Sequence, residues 1–214
     1  MHNKERNKDK LIRELQAKII LSNCYKDRYS QLIKIEERSK PDLFDTFLNL
    51  GVEVVFATKQ KLQHAIDKCE NPKETDNNRG DNKKKALIDG EFLKCSEKGL
   101  AFIAFWQDYH DLLNFFHKKL KKLNESHYKC NYDAYDLYIK GEIFGIDTDE
   151  ITPLLKDMIL IQDKQKYKYR YVYVQVLPYI YCFDLKNKIC ECKELGCEFC
   201  TNLHSLVKKE YDLL

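Results

Sequence analysis

The chain has 214 residues, of which 43% are hydrophobic and 33% are charged, and its formal net charge at pH 7 is +3. This length allows one large domain or two small ones with an apolar core, and the near balance of charges excludes a basic character of the whole chain, so any basic surface must be local. The first residues lack the apolar core of a signal peptide, and no apolar run reaches the roughly 20 residues of a membrane span. We therefore expect a soluble, intracellular protein that has no membrane partner.

The N-terminal region, residues 1–69, is predicted to be a bundle of amphipathic helices. Apolar residues recur at helical spacing from Lys10 to Arg38, and Pro41 then favours the first turn of a new helix over Asp42–Leu50. The β-branched composition of Gly51–Phe56 favours a strand, but helical spacing also runs through it, and we favour the helix. The next segment, residues 70–85, contains no large apolar residue and is predicted to be a flexible linker.

Residues 86–126 contain the clearest periodic signal of the chain, an apolar heptad seam that predicts a long aromatic helix. Such a seam needs a second helix to cover it. Packing on the first helix of the same chain would do so, and self-association or docking on a partner protein is the alternative. The seam residues that would dock are Phe102, Trp106, Tyr109, Leu113 and Phe116.

The C-terminal region, residues 127–214, combines predicted helices and strands. Their order is a helix over Tyr132–Glu142, a helix over Asp147–Met158, the β-rich segment Ile159–Ile161, a strand over Lys166–Val176 and a strand over Tyr179–Phe183. This order of elements resembles a winged helix-turn-helix domain. The second helix is acidic and would repel phosphates, so the wing hairpin is the better contact for nucleic acid, although many such domains only dock proteins.

Four cysteines near the end of the chain follow the spacing C-x-C-x4-C-x2-C. They are Cys190, Cys192, Cys197 and Cys200. Thiolates are preferred ligands of zinc, and four of them leave no open position on the metal, so the pattern predicts a structural Zn2+ site without catalytic chemistry. Cys182 and His204 are reserve ligands, and reduced thiols, a redox disulfide or an iron–sulfur cluster are the alternatives.

A strand with the sequence KYKYRYVY is predicted to place cations on one face and tyrosines on the other. The cations are Lys164, Lys166, Lys168 and Arg170. Their spacing of roughly 6.5 to 7 Å is similar to the phosphate separation of nucleic acids, whereas an ordinary amphipathic strand with a solvated lysine face is the alternative. A second cationic group could join them in one basic surface, or could serve only the helix dipole. It consists of Lys118, Lys119, Lys121 and Lys122.

No catalytic motif is present: the phosphate-binding, dinucleotide-binding, metalloprotease and hydrolase signatures are all missing from the sequence. We therefore infer no catalytic residue and no small-molecule substrate, and an enzyme whose catalytic pair is brought together only by the fold is the third option. The expected fold class is α+β, mainly α, with an N-terminal helical bundle followed by a small winged-helix-like domain that ends in the four-Cys zinc site. The expected function is non-enzymatic binding of nucleic acid, with RNA or a ribonucleoprotein favoured over a DNA sequence. The alternative is a protein-interaction subunit that docks through the winged-helix-like domain and the aromatic helix.

Overall fold

The structure is a computed structural model. It describes residues 2–29, 31–35, 41–57, 93–95, 101–103, 109–125, 132–141, 148–176 and 178–212. The chain divides into two compact units. One unit comprises residues 1–57, 108–142 and 146–214, and the other comprises residues 58–107 and 143–145.

The described elements are as follows in chain order. They are helix α1 (His2–Cys24), strands β1 (Leu32–Lys34), β2 (Leu43–Asp45), β3 (Leu50–Ala57), β4 (Leu93–Cys95) and β5 (Ala101–Ile103), helix α2 (Tyr109–Asn124), strand β6 (Ala134–Gly141), helix α3 (Thr148–Gln162), strands β7 (Tyr169–Val176), β8 (Tyr179–Asp184) and β9 (Ile189–Glu194), and helix α4 (Cys197–Asp212). In the smaller unit, β4 and β5 pair as an antiparallel two-stranded sheet.

The larger unit is built on a seven-stranded mixed sheet with the order β1-β2-β3-β6-β7-β8-β9. The central strands β3, β6 and β7 are parallel, and the other neighbours are antiparallel. Parallel neighbours need a crossover connection, and α3 lies in the connection from β6 to β7. The N-terminal ends of β3, β6 and β7 consequently meet at one edge of the sheet, and this edge carries the candidate site.

Helices cover both faces of this sheet. On one face, Val54, Tyr138 and Tyr173 share a core cluster with residues of α1 and α4. Side chains alternate along a strand, so Glu53 belongs to the opposite face, where Lys119 of α2 forms an ion pair with it. The larger unit is therefore a three-layer α/β/α structure. No helix within the described ranges is both long and apolar enough to cross a membrane.

Strand β9 is the last strand of the sheet among the described residues. The side chain of Lys193 in this strand points inward, toward the end of α1. Its ammonium nitrogen donates a hydrogen bond of 2.9 Å to the carbonyl oxygen of Cys24. Because Cys24 is the last residue of α1, this bond satisfies a carbonyl that the helix itself leaves without a partner.

The predicted N-terminal helical bundle is wrong, because among the described residues of this region only the first part is helical. Helix α1 ends at Cys24, and Leu32–Lys34 is already a strand. The predicted helix over Asp42–Leu50 is strand β2 followed by a turn, and Gly51–Phe56 belongs to β3. The β-branched composition of β3 outweighs its helical spacing because both faces of this central strand are covered, so it is apolar almost throughout.

The winged-helix prediction is also wrong. Its first helix, over Tyr132–Glu142, is strand β6, which lies between β3 and β7 in the middle of the sheet. Its second helix does form as α3, but α3 continues through the β-rich Ile159–Ile161 to Gln162. The fold class is therefore not a mainly α protein with an appended small domain. A single mixed sheet joins segments from both halves of the chain.

Candidate nucleic-acid interface

The predicted cations of the C-terminal region lie in two different environments. Strand β7 begins only at Tyr169, so Lys164, Lys166 and Lys168 lie in the loop that precedes it, and all three are exposed. Arg170 lies within the strand and is partly buried. The strict alternation expected of one long strand therefore does not apply to these residues.

An asparagine joins the loop before β7 to the end of α2. The side-chain nitrogen of Asn124 donates a hydrogen bond of 3.0 Å to the carbonyl oxygen of Tyr167, and the backbone nitrogen of Tyr167 donates one of 2.9 Å to the side-chain oxygen of Asn124. These two bonds fix the loop beside the last turn of α2, so the two predicted groups of lysines lie side by side. We call them together the basic surface, which consists of Lys118, Lys119, Lys121, Lys122, Lys164, Lys166 and Lys168.

Part of the positive charge of the basic surface is neutralised within the chain. Glu53 is nearly buried and pairs with Lys119 at 2.5 Å and with Lys122 at 3.3 Å. Two exposed pairs join Lys121 to Glu125 and Lys168 to Asp163. Seven lysines against these three carboxylates leave an excess of four positive charges.

Three lysines of the basic surface form no ion pair with any carboxylate among the described residues. They are Lys118, Lys164 and Lys166. Two of them lie over aromatic rings: the ammonium of Lys118 is 5.9 Å from the ring centre of Phe115, and that of Lys166 is 4.9 Å from the ring centre of Tyr167. These three cations are the ones most available to an anionic ligand.

Arg170 is engaged in an internal ion pair. Its Nη2 donates a hydrogen bond of 2.9 Å to Oδ2 of the fully buried Asp136, and its Nε donates one of 3.3 Å to Oδ1. A β-bulge at this point sets two residues of β7 opposite Asp136, so that Arg170 reaches this carboxylate. Burial raises the pKa of Asp136, and the guanidinium opposes that rise. The position of Arg170 is that of a structural partner of Asp136.

A row of aromatic rings runs beside the basic surface at the edge where the parallel strands begin. Successive ring centres are separated by 5.1 Å from Phe44 to Tyr132, 5.7 Å from Tyr132 to Tyr135 and 6.4 Å from Tyr135 to Tyr167. We call these four residues the aromatic row. Three sequence segments contribute to it, and of its members the cationic pattern pointed only to Tyr167.

The aromatic row can approach the sheet closely at Tyr132 because position 51 is a glycine. A side-chain carbon at position 51 would lie 2.6 Å from Cγ of Pro41 and 3.4 Å from Cδ2 of Tyr132. Any larger residue would therefore displace Pro41. The glycine thus keeps Pro41 and Tyr132 close to the sheet.

The predicted zinc ligands fall on two sides of the sheet. Cys190 and Cys192 pair in register with Phe183 and Tyr181, which places them opposite the face that α1 covers, whereas Cys200 packs on the α1 core cluster. No group of three or more potential ligands is placed to hold a metal ion within the described residues. The zinc site in the expected fold class is thus not present in the structure as a closed cluster, because strand alternation separates the two halves of the motif.

Burial also favours the protonated form of two of the cysteines considered as ligands, Cys190 and Cys182. Burial raises the pKa of Cys190 to about 12 and that of the reserve ligand Cys182 to about 11, and Arg28 opposes the rise at Cys182. The other reserve ligand, His204, is exposed on α4. A zinc ion would have to displace these protons, and a zinc site on the four cysteines stays a prediction.

The predicted docking seam divides among several environments. Phe116 is fully buried and its ring centre lies 6.2 Å from that of Tyr169, so its contacts are made within the chain. Leu113 is partly buried in α2, and Tyr109 is the first residue of that helix. Phe102 belongs to β5, and Trp106 lies outside the described residues.

The fold and the candidate site together define a three-layer α/β/α protein with an edge that presents lysines and aromatic rings. Comparison of the chain with protein-family models, with curated proteins and with solved structures found no match. The function must therefore be inferred from the chemistry of this edge.

Proposed function

We propose that this protein is a non-enzymatic, nucleic-acid-associated binding protein that contacts the phosphate backbone through the basic surface. The observation that carries the proposal is the pair of hydrogen bonds between Asn124 and Tyr167, which fixes two groups of lysines next to each other. The lysines of α2 alone have a simple structural explanation, because cations at the C-terminal end of a helix stabilise its dipole. The juxtaposition of both groups with the exposed Tyr167 has no such explanation.

The physical basis of binding is the release of counterions from the nucleic acid. Each phosphate that a lysine neutralises frees condensed cations, so the affinity falls steeply with salt. The largest contributions would come from Lys118, Lys164 and Lys166. These lysines form no ion pair with a carboxylate among the described residues, so they would not have to break one on binding. RNA or a ribonucleoprotein is the favoured partner.

The test is the salt dependence of binding to a fluorescein-labelled oligouridylate, measured by fluorescence anisotropy. In the triple variant Lys118→Ala/Lys164→Ala/Lys166→Ala, the slope of log affinity against log salt should be shallower by about 2, because each single-strand phosphate contact contributes about 0.7. The control Lys186→Ala/Lys208→Ala/Lys209→Ala removes the same charge from exposed lysines elsewhere and should keep the slope. Absence of binding at low salt, or equal effects of the two variants, would refute the proposal.

We also propose that the protein is intracellular. The six cysteines whose side chains the structure describes are all free thiols, as is usual for proteins in a reducing compartment. Fractionation of cells that produce the tagged chain tests this location, and recovery of the chain outside the cell would contradict it.

A protein-interaction subunit is the second candidate function, and a patch of exposed hydrophobic residues favours it. Phe47 is 77% exposed in the turn after β2, next to Leu48 at 37%, and Ile33 of the paired strand β1 is 47% exposed. Large exposed apolar groups favour contacts with other proteins. The winged-helix fold does not form, so docking through a winged-helix-like face is no longer proposed.

Gel filtration with light scattering tests this second function on the chain isolated under gentle conditions from its own cells. An assembly should have a mass well above 25.5 kDa, and Phe47→Ser should reduce it to the mass of the single chain. The triple lysine variant is the matched comparison and should leave the assembly intact. A single-chain mass for the unaltered protein would count against this function.

A further inference from the structure

We infer that the ligand of the basic surface is a single-stranded nucleic acid, one of whose bases stacks on the ring of Tyr167. This inference deepens the proposed function and rests on it. The lysines explain attraction to phosphates, which single strands and duplexes share. The aromatic row adds a group that discriminates between them.

Tyr167 lies just before β7 and is available to a ligand. The residue is 38% exposed, whereas Tyr169 and Tyr173 of β7 are buried in the cores on the two faces of the sheet, and Tyr171 is partly buried. The ammonium of Lys166 lies 4.9 Å from the centre of the Tyr167 ring. Because this ammonium lies over the ring, a base that stacks on that face would displace it toward the base's own phosphate.

The ring of Tyr167 is also held in place before any ligand arrives. Asn124 fixes the backbone of this residue from both its nitrogen and its oxygen, and the nearly buried Tyr135 meets the ring edge-on at an interplanar angle of 73°. A side chain ordered in advance loses little conformational freedom on binding. Behind Tyr135, the partly exposed Tyr132 and Phe44 continue the aromatic row.

These features favour a single strand over a duplex. Stacking on a tyrosine requires an open base face, and a duplex covers its base faces with neighbouring pairs. Proteins that bind single strands without sequence preference combine a cationic surface with aromatic stacking positions. The basic surface and Tyr167 supply both, so we expect tolerance of base identity.

The experiment compares an oligothymidylate with an oligonucleotide of the same length that consists of abasic sites and with a duplex of that length. The first carries phosphates and open bases, the second only phosphates, and the duplex has covered bases. The unaltered protein should bind the oligothymidylate most tightly. In Tyr167→Ala this affinity should fall roughly 5- to 150-fold, the loss expected for one stacked base, while the affinity for the abasic strand should stay the same.

Two variants serve as controls. Tyr167→Phe keeps the ring and should bind as the unaltered protein does. Tyr179→Ala removes a ring of similar exposure, 40%, from β8 and should leave the affinity unchanged. Both alanine variants keep their backbone groups, so the hydrogen bonds from Asn124 remain.

The possible outcomes separate this inference from the function on which it rests. If the abasic strand or the duplex binds as tightly as the oligothymidylate, or if Tyr167→Ala has no selective effect, then stacking is refuted. The proposed function survives in that case, provided that the triple lysine variant still loses affinity. If none of the three probes binds at low salt, the proposed function and this inference fail together.

Discussion

Removing the carboxylate of Asp136 should destabilise the protein more than removing an exposed aspartate. Asp136 is fully buried, and its two oxygens accept four hydrogen bonds. The donors are the hydroxyl of Tyr29 at 2.5 Å, two nitrogens of Arg170 at 2.9 and 3.3 Å, and the backbone nitrogen of Tyr171 at 3.0 Å. The substitution Asp136→Ala leaves all of these donors without their acceptor.

The size of the effect follows from what each donor can do afterwards. Breaking a buried ion pair by deleting one partner costs about 3 to 5 kcal/mol. The side chain of Arg170 is one-third exposed and can turn to water, and the hydroxyl of Tyr29 keeps its 3.0 Å contact with the hydroxyl of Tyr173. We therefore expect the lower end, about 3 kcal/mol. This is a large part of a typical unfolding free energy of about 5 to 15 kcal/mol.

Urea unfolding followed by circular dichroism measures the effect. The matched control is Asp163→Ala, which removes an exposed aspartate that pairs with Lys168 at 2.9 Å and should cost less than about 1 kcal/mol. Similar losses for the two variants would refute the reasoning. Arg170→Ser should likewise lower stability and leave oligonucleotide affinity unchanged in the folded protein, because this arginine is engaged with Asp136.

Three further predictions concern pH, packing and metal. Burial, reinforced by Asp42, raises the pKa of Glu14 from 4.5 to about 7. The protonated side chain of Glu14 therefore contributes its full share to the free energy of unfolding below about pH 4.5, and this contribution is lost as the pH rises through about 7. Glu14→Gln should make the free energy of unfolding, measured with urea, depend less on pH over this range. Gly51→Ser should lower the melting temperature by about 2 to 12 °C, because its clash with Pro41 costs about 1 to 3 kcal/mol. The control Gly196→Ser has open space around it and should leave the melting temperature unchanged. Equal shifts for the two variants would contradict this reasoning. The zinc hypothesis predicts one equivalent of zinc in the purified chain by mass spectrometry, with loss of metal after replacement of the four cysteines by serine, and a metal-free chain would exclude it.

The sequence predicted the second half of the sheet better than the two central strands β3 and β6. Helix α3 and the strands β7 and β8 were anticipated because capping and alternation are local signals. The central strands β3 and β6 were interpreted as helices. Both strands are covered on two faces, so neither shows the alternation of a half-exposed strand. Their polar residues, Glu53 and Asp136, are buried with partners that come from distant parts of the chain.

The candidate site was predictable only in part for the same reason. Both groups of lysines could be read from the sequence, because each is a local cluster. The role of Asn124 could not, since its partner Tyr167 lies 43 residues away. The aromatic row depends on strand register that no local pattern encodes. The cysteine spacing suggested one metal site, but it carries no information about the sheet that separates its two halves.

The inward lean of Lys193 has a consequence for solubility. An open sheet edge invites the addition of further strands, and a charged residue that points inward from the last strand is one way in which proteins prevent this. By reaching the carbonyl of Cys24, Lys193 places a charge where an incoming strand would have to bury it. Replacing it by valine would remove that charge and make the addition of a further strand more favourable.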